Sequence, residues 1–344
     1  KNHFNQYEIF LRLINDSSLP VVILFSKIID NEIRYFGWYH SNPKLSRPGW
    51  RDGKLKKYKA LKTFESNKYI KRITPVSFNK NRLSKRTSGL TSNSSYIFVV
   101  AGLGSIGSHL IHFLKSEQNS EFRLIDTDYL KIENIKRHYL GFQYINWSKS
   151  KALMDYLLKN SPLTKVSIRE QSVIDVLKNE IEYIQTSDFL FIVIGETNID
   201  LAVSKAISAK IIDRPTFFIW VEPYLLGGHC IFINPFYENN YSEYFNGDDT
   251  FKFNVIGDYN NDKLRLKEAG CQSDYVPYAS KNVNIFLSFL SIEIFKITEN
   301  FNKEVTQSSS FTWIGNKEIA KDLDIVLSKY SEENNSFTLL KNNL

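Results

Sequence analysis

The chain of 344 residues and 40.1 kDa is long enough for two domains at about 150 residues each. Its 42% hydrophobic, 14% aromatic and 24% charged composition excludes a disordered, collagenous or disulfide-stapled protein. The net charge of +7 is uneven: residues 1–90 hold 19 basic and 6 acidic side chains, a net +13, which leaves −6 for the remainder. Cys230 and Cys271 are the only cysteines and form no CxxC pair, which rules out an all-cysteine zinc site. The longest apolar stretch, residues 285–295, is broken by Ser288, Ser291 and Glu293 and falls short of the roughly 20 residues of a membrane helix. A cytoplasmic protein without a membrane partner is therefore expected. The one methionine is Met154, so Lys1 is not a translation start, and a fragment or processed product is expected.

Two β-rich runs over residues 19–39, separated by Asp30, Asn31 and Glu32, predict a hairpin in a small N-terminal sheet. Residues 41–95, rich in Lys, Arg, Ser and Asn, read as loops with one or two short elements, and the domain boundary falls near 88–95. The basic character of this first domain could attract phosphates, nucleic acid or an acidic protein, but it equally fits a solvated lysine-rich surface. Nucleic acid is not an expected partner.

Residues 96–101 form a continuous apolar run, the pattern of a parallel strand buried on both faces. Ile106, Leu110, Ile111, Phe113 and Leu114 then recur at helical spacing, and 122–125 is a second strand ending at Asp126. A helix is predicted over 148–160 with Ser148 as its cap, strands over 165–171 and 189–195, and helices over 174–183 and 199–209. This alternation is α/β, a doubly wound Rossmann-like domain over 91–344 that follows a small α+β domain over 1–90. Beyond a strand at 217–221, Gly227 and Gly228 read as a turn before a strand at 230–234. A long polar loop then precedes helices over 281–301 and 317–329, which flank a short strand at 311–314.

Gly102-x-Gly104-x-x-Gly107 lies between a buried strand and a helix, where glycines permit a tight turn and bring a phosphate close to the helix N-terminus. Asp126 is placed to hydrogen-bond ribose hydroxyls, which fits an NAD-binding dehydrogenase as well as an ATP site. The continuation breaks the tie: Asp128, Asn134, Arg137 and His138 follow, and Lys151 opens a helix. An amide, a guanidinium and an ammonium around one triphosphate would neutralise and orient it while a carboxylate attacks the α-phosphorus, with Mg²⁺ shielding the departing pyrophosphate.

The strings GLGSIGSHL, LIDTDYLKIENIKRH and SKSKA resemble the adenylation domain of the ubiquitin-activating, ThiF/MoeB superfamily, over about residues 90–330. The resemblance implies that Gly102, Gly104 and Gly107 cradle ATP, that Asp126 binds ribose, and that Asn134, Arg137 and Lys151 meet the phosphates. Glu196, in IGETN, stands where a metal-binding Asp usually follows the fourth strand. Arg82 or Arg86 lies where related dimeric enzymes lend an arginine to the partner's ATP, so a homodimer is implied. LPVVILFSKIIDNEIRYFGW, RHYLG, EPYLLGGH and GCQSDYVPY also resemble the ubiquitin-transferase-like proteins of bacterial CBASS anti-phage operons. That resemblance implies adenylation of the C-terminal glycine of a cGAS-like nucleotidyltransferase or ubiquitin-like protein, and thioester transfer to a conjugating domain in cis or in trans. Cys271 follows Gly270 ahead of a helix and is the expected thioester nucleophile, whereas Cys230 alternates with Phe232 on a strand and reads as a buried thiol. A sulfur-carrier adenylyltransferase of ThiF or MoeB type and an inactive nucleotide-binding scaffold are the alternatives. His109 and His112 have i, i+3 spacing but no third metal ligand nearby. His138 would orient Arg137 or make a plain structural hydrogen bond, and Gly227 with Gly228 would admit a substrate tail or simply form a turn.

Overall fold

The computed structural model describes residues 20–29, 32–40, 70–76, 82–83, 85–86, 89, 95–115, 120–161, 163–237, 240–267 and 274–342. The chain divides into two units, Lys1–Thr91 and Ser92–Leu344. In the first unit β1 (Val21–Ile29) and β2 (Glu32–His40) pair antiparallel from Val21 opposite His40 to Ile29 opposite Glu32, and β3 (Ile70–Ile73) adds to β2. Phe25 and Trp38 meet edge to face at 5.0 Å, and Gly37 leaves the room that Ile73 fills. The predicted hairpin is therefore present.

In the second unit, the central strands of the parallel core alternate their side chains between two apolar layers, as a period of two requires when helices cover both faces. Phe98 and Val100 of β4 (Ile97–Ala101) face one layer, and Val99 and Ala101 face the other. Phe189 and Phe191 of β7 (Phe189–Ile192) separate in the same way from Leu190 and Ile192. The first layer is completed by α1 (Ser105–Leu114), α2 (Lys149–Asn160) and the long α6 (Ser280–Glu299), which contributes Val283, Phe286, Leu287, Leu290 and Ile294. The second takes Val173 and Val176 of α3 (Val173–Asn179), Ile184 of α4 (Glu182–Gln185), and Val203 and Ile207 of α5 (Thr197–Ser208).

The eight strands run β13 (Thr338–Asn342), β12 (Ser309–Ile314), β9 (Gly227–Ile233), β8 (Thr216–Val221), β7, β4, β5 (Glu121–Ile125) and β6 (Lys165–Arg169) across the sheet, with β5, β6 and β8 parallel to β4 and β7, while the short β10 (Leu266–Lys267) and β11 (Asp274–Tyr275) pair with each other in a separate ribbon. The chain leaves β4 toward β5 and β6 and then returns to β7 on the other side of β4. That reversal opens a crevice at the carboxyl ends of the strands, the place where doubly wound folds bind ligands. Beyond β8 the sheet turns antiparallel through β9 (Gly227–Ile233), β12 (Ser309–Ile314) and β13 (Thr338–Asn342).

Three expectations need correction. Gly227 and Gly228 are not a turn but the first residues of β9, because a Cβ on Gly227 would lie 2.6 Å from the Glu222 carboxyl carbon and one on Gly228 would lie 2.9 Å from the Phe286 ring. The helix expected over 317–329 is two short ones, α7 (Lys317–Asp322) and α8 (Lys329–Glu332), separated by Asp324 at φ 52°, a left-handed backbone no helix continues through. The helix expected over 174–183 divides into α3 and α4 around Glu180.

Candidate nucleotide site

The loop between β4 and α1 is shaped by its glycines. Gly102 sits at φ 91°, where an L side chain is strained, and its N–H donates to Ile125 O at 3.0 Å. Gly107 packs directly beneath it, since a Cβ there would stand 1.9 Å from Gly102 O. Gly104 precedes α1 with no side-chain cap and open space around it. The first N–H groups of α1 are thus left without a capping side chain at a positively polarised helix end.

Asp126, just past β5, accepts from Leu103 N at 2.6 Å on Oδ2 and from Asp128 N at 2.7 Å on Oδ1. Burial pushes its carboxyl up from the ordinary range, against the pull of Lys149 and of the two backbone donors. Lys149 is itself buried, 2.7 Å from Asp128 Oδ2, and its backbone N–H donates to Asp128 O at 2.9 Å. Together with Gly102, Gly104, Gln171, Ser172 and Glu196, these residues line a cleft of about 270 Å³.

The segment after Asp128 is stitched to α1. Ser105 Oγ donates to Arg137 O at 2.5 Å, and Tyr139 N donates to Ser108 Oγ at 3.1 Å. His138 donates from Nε2 to Leu103 O at 2.9 Å and accepts from Leu140 N at Nδ1 at 3.1 Å, which fixes a neutral ring; burial lowers its pKa to about 4. The structural alternative for His138 is thus the one found, because it holds the glycine loop rather than the Arg137 guanidinium. His109 donates from Nδ1 to Ser105 O and accepts from Ser280 Oγ, while His112 stacks on Tyr139 with centroids 4.5 Å apart. No group of three potential metal ligands occurs among the described residues.

The cleft brings together Gly102, Gly104, Asp126, Asp128 and Glu196, but Asn134, Arg137 and Lys151 do not line it. Asn134 Oδ1 accepts from Lys131 N at 3.0 Å, and the Arg137 guanidinium lies over the Tyr278 ring at 5.7 Å. Lys151 pairs with Glu170 at 2.6 Å, with side chains 54% and 36% exposed, a contact of the weak, solvent-screened kind. Sequence reasoning missed Lys149. In SKSKA the two lysines are two residues apart and so leave the helix in different directions, and only the first sits beside Asp128. Cys230 is buried, with its thiol pushed up by desolvation, as its place on a strand suggested. Cys271 lies outside the described residues. Arg86 is an exposed residue of the first unit.

A glycine-lined loop, an uncapped helix N-terminus and an anchored Asp at the end of the neighbouring strand define a nucleotide-binding α/β domain. Residues 86–272 match the ThiF family, and the chain belongs to it. Membership supports ATP-dependent adenylation on an E1-like fold. The fold is similar to that of E. coli MccB, solved with MccA-N7isoASN (15% identity, TM-score 0.50, 79% of this chain and 78% of that one) and with MccA (16%, 0.50, 83% and 77%). It is also similar to PaaA (14%, 0.48), where 64% of this chain is matched but only 60% of PaaA is spanned. No curated protein matches the sequence. No helix among the described residues is long and apolar enough to cross a membrane.

Proposed function

We propose that the chain adenylates the C-terminal carboxylate of a protein or peptide with ATP and captures the acyl group as a thioester on Cys271. The observation that carries this reading is Asp126. Its carboxylate is pinned by two backbone donors beside an uncapped helix N-terminus, the arrangement that holds a ribose while phosphates lie at the helix end. Arg137 and Lys151 reach the phosphates by turning away from Tyr278 and Glu170, contacts weak enough to be exchanged.

The substrate carboxylate oxygen attacks the α-phosphorus as the bond to pyrophosphate breaks. The Cys271 thiolate then attacks the acyl carbon, and AMP leaves. Mg²⁺ keeps most of its waters and takes one or two carboxylates plus substrate phosphates, so Glu196 at the cleft wall fits as its protein ligand with ATP bound. When present, Mg²⁺ neutralises the charge on the departing pyrophosphate. The substrate in this reading is a cGAS-like nucleotidyltransferase or ubiquitin-like protein in a CBASS operon, with a conjugating domain as acceptor and Arg86 serving the partner's ATP in a homodimer. MccB, bound to MccA, offers a precedent for this fold accommodating a further molecule.

Thermal stability with Mg-ATP and with NAD tests the reading. ATP at about 100 times its Kd should add roughly 2.7 kcal/mol, and Asp126→Ala should remove that shift. A shift with NAD alone would overturn it. Cys271→Ala should keep acyl-adenylate formation with release of pyrophosphate and lose a thiol-sensitive adduct.

A further inference from the structure

With phosphates at the uncapped end of α1, which follows β4, and the ribose at Asp126, which follows β5, two parts of a bound nucleotide have their places. The strand order gives the place of the third. Base and phosphates hang from opposite ends of a ribose, and the sheet continues from β4 through β5 to β6, so the base points to the loop after β6. Neighbouring strands lie about 4.8 Å apart, which puts that loop about 10 Å from the phosphate end.

The loop is residues 170–172, between β6 and α3, and both its ends are held. Asp126 N donates to Arg169 O at 3.2 Å, which ties the end of β5 to the last residue of β6. Ser172 caps α3, where its Oγ accepts from Asp175 N at 3.1 Å and donates to Asp175 Oδ2 at 2.7 Å. The side chains before Gln171 are engaged with the protein: Arg169 Nε donates to Glu180 Oε2 at 2.6 Å, and Glu170 pairs with Lys151. Gln171 itself is exposed and lines the cleft.

Its carboxamide makes no hydrogen bond among the described residues. Among the described residues that line the cleft it alone carries a carboxamide, which offers an acceptor oxygen and an NH₂ donor in one plane. Adenine carries the matching pair, a 6-amino donor beside a ring-nitrogen acceptor, and Asn and Gln are the side chains that meet such a pair with two hydrogen bonds. Ile125, Val173 and Ile199 give the same cleft apolar surface suited to the faces of a flat ring. Asp128 and Lys149, its charged neighbours in the cleft, are committed to each other at 2.7 Å.

We propose that Gln171 is the base-reading residue of the cleft: its carboxamide accepts from the 6-amino group of adenine and donates to the adjacent ring nitrogen, so the site selects adenine nucleotides. This rests on the cleft being the ATP site. Because both ends of its loop are held, the backbone that carries Gln171 is in place before a nucleotide arrives, and little ordering cost falls on the contact.

The test is titration calorimetry on the full chain with Mg²⁺, comparing ATP with purine riboside 5′-triphosphate, which lacks only the 6-amino group. Wild type should bind ATP about tenfold more tightly than the purine analogue. In Gln171→Leu the ATP affinity should fall and the two affinities should converge. Gln171 is exposed and bonded to no described side chain or backbone group, so the melting temperature without nucleotide should stay at the wild-type value. A wild type that binds both triphosphates equally, or a preference for ATP that persists unchanged in Gln171→Leu, would overturn the proposal while leaving the ATP site standing. Failure of the ATP reading is separate: there wild type binds neither triphosphate, and both readings fall.

Discussion

Asp126 and Glu222 stand at the carboxyl edge of the same sheet, Asp126 half-buried and Glu222 buried, and each accepts two backbone N–H groups. Asp126 stops there and lines the cleft, whereas Glu222 takes a third donor from His229. A carboxylate offers about four lone-pair sites, so the first keeps acceptor capacity for a ligand and the second spends most of it on the protein. Equal backbone anchoring thus leaves one carboxylate open toward the cleft and ties the other into the fold, and the difference lies in what remains unsatisfied.

The largest effect that sharpens this contrast is expected at two tightly packed glycines, one under the nucleotide loop and one against Glu222. Gly107→Ala should cost roughly 3 kcal/mol or more, because its Cβ would meet a backbone oxygen that cannot swing aside. Gly227→Ala should cost less, since part of the clash falls on the Glu222 side chain; denaturant midpoints check both. Close behind is a pH effect at His138, whose pKa falls to about 4 in the folded protein from 6.5. Below pH 6.5 the unfolded chain takes up a proton that the folded one refuses. Stability is therefore full above about pH 6.5 and drains away as the pH falls to about 4, by up to about 3 kcal/mol. His138→Gln should flatten that stretch of the stability profile.

Smaller, and specific to the cleft, is the partnership of Asp126 with Lys149. The lysine opposes the upward push of burial on the Asp126 carboxyl, so Lys149→Met should make the ATP-induced melting shift fail at a higher pH than in wild type. Lys151→Met should leave that acid limb where it is. The smallest effect is on stability itself, where loss of the exposed pair of Lys151 with Glu170 should leave the denaturant midpoint where it is in wild type.

The parallel half of the sheet was legible because strands buried on both faces write themselves as unbroken apolar runs, and 97–101 and 189–192 are such runs. The glycine loop and Asp126 were legible because backbone geometry dictates those residue types. Other parts left no local trace. The strand β13, TLLKN, has neither length nor alternation, and its partner β12 is distant in sequence. Gly227 and Gly228 looked like a turn because the close approach of Glu222 and Phe286 is a tertiary fact that no spacing announces. The choice between Lys149 and Lys151 likewise depended on where Asp128 and Glu170 stand in space.

The antiparallel end of the sheet carries a consequence for the chain as a material. All six residues of β12 are buried, and β13 closes its outer side, with Asn342 Nδ2 reaching Ser310 and Thr312. Removing the last strand would bare a row of unpaired backbone groups beside Phe311 and Trp313, a ready template for strand addition by a neighbouring molecule. A chain shortened before Thr338 should therefore be lost to self-association even with its nucleotide loop intact, so the far edge of the sheet governs solubility at a distance from the central crevice.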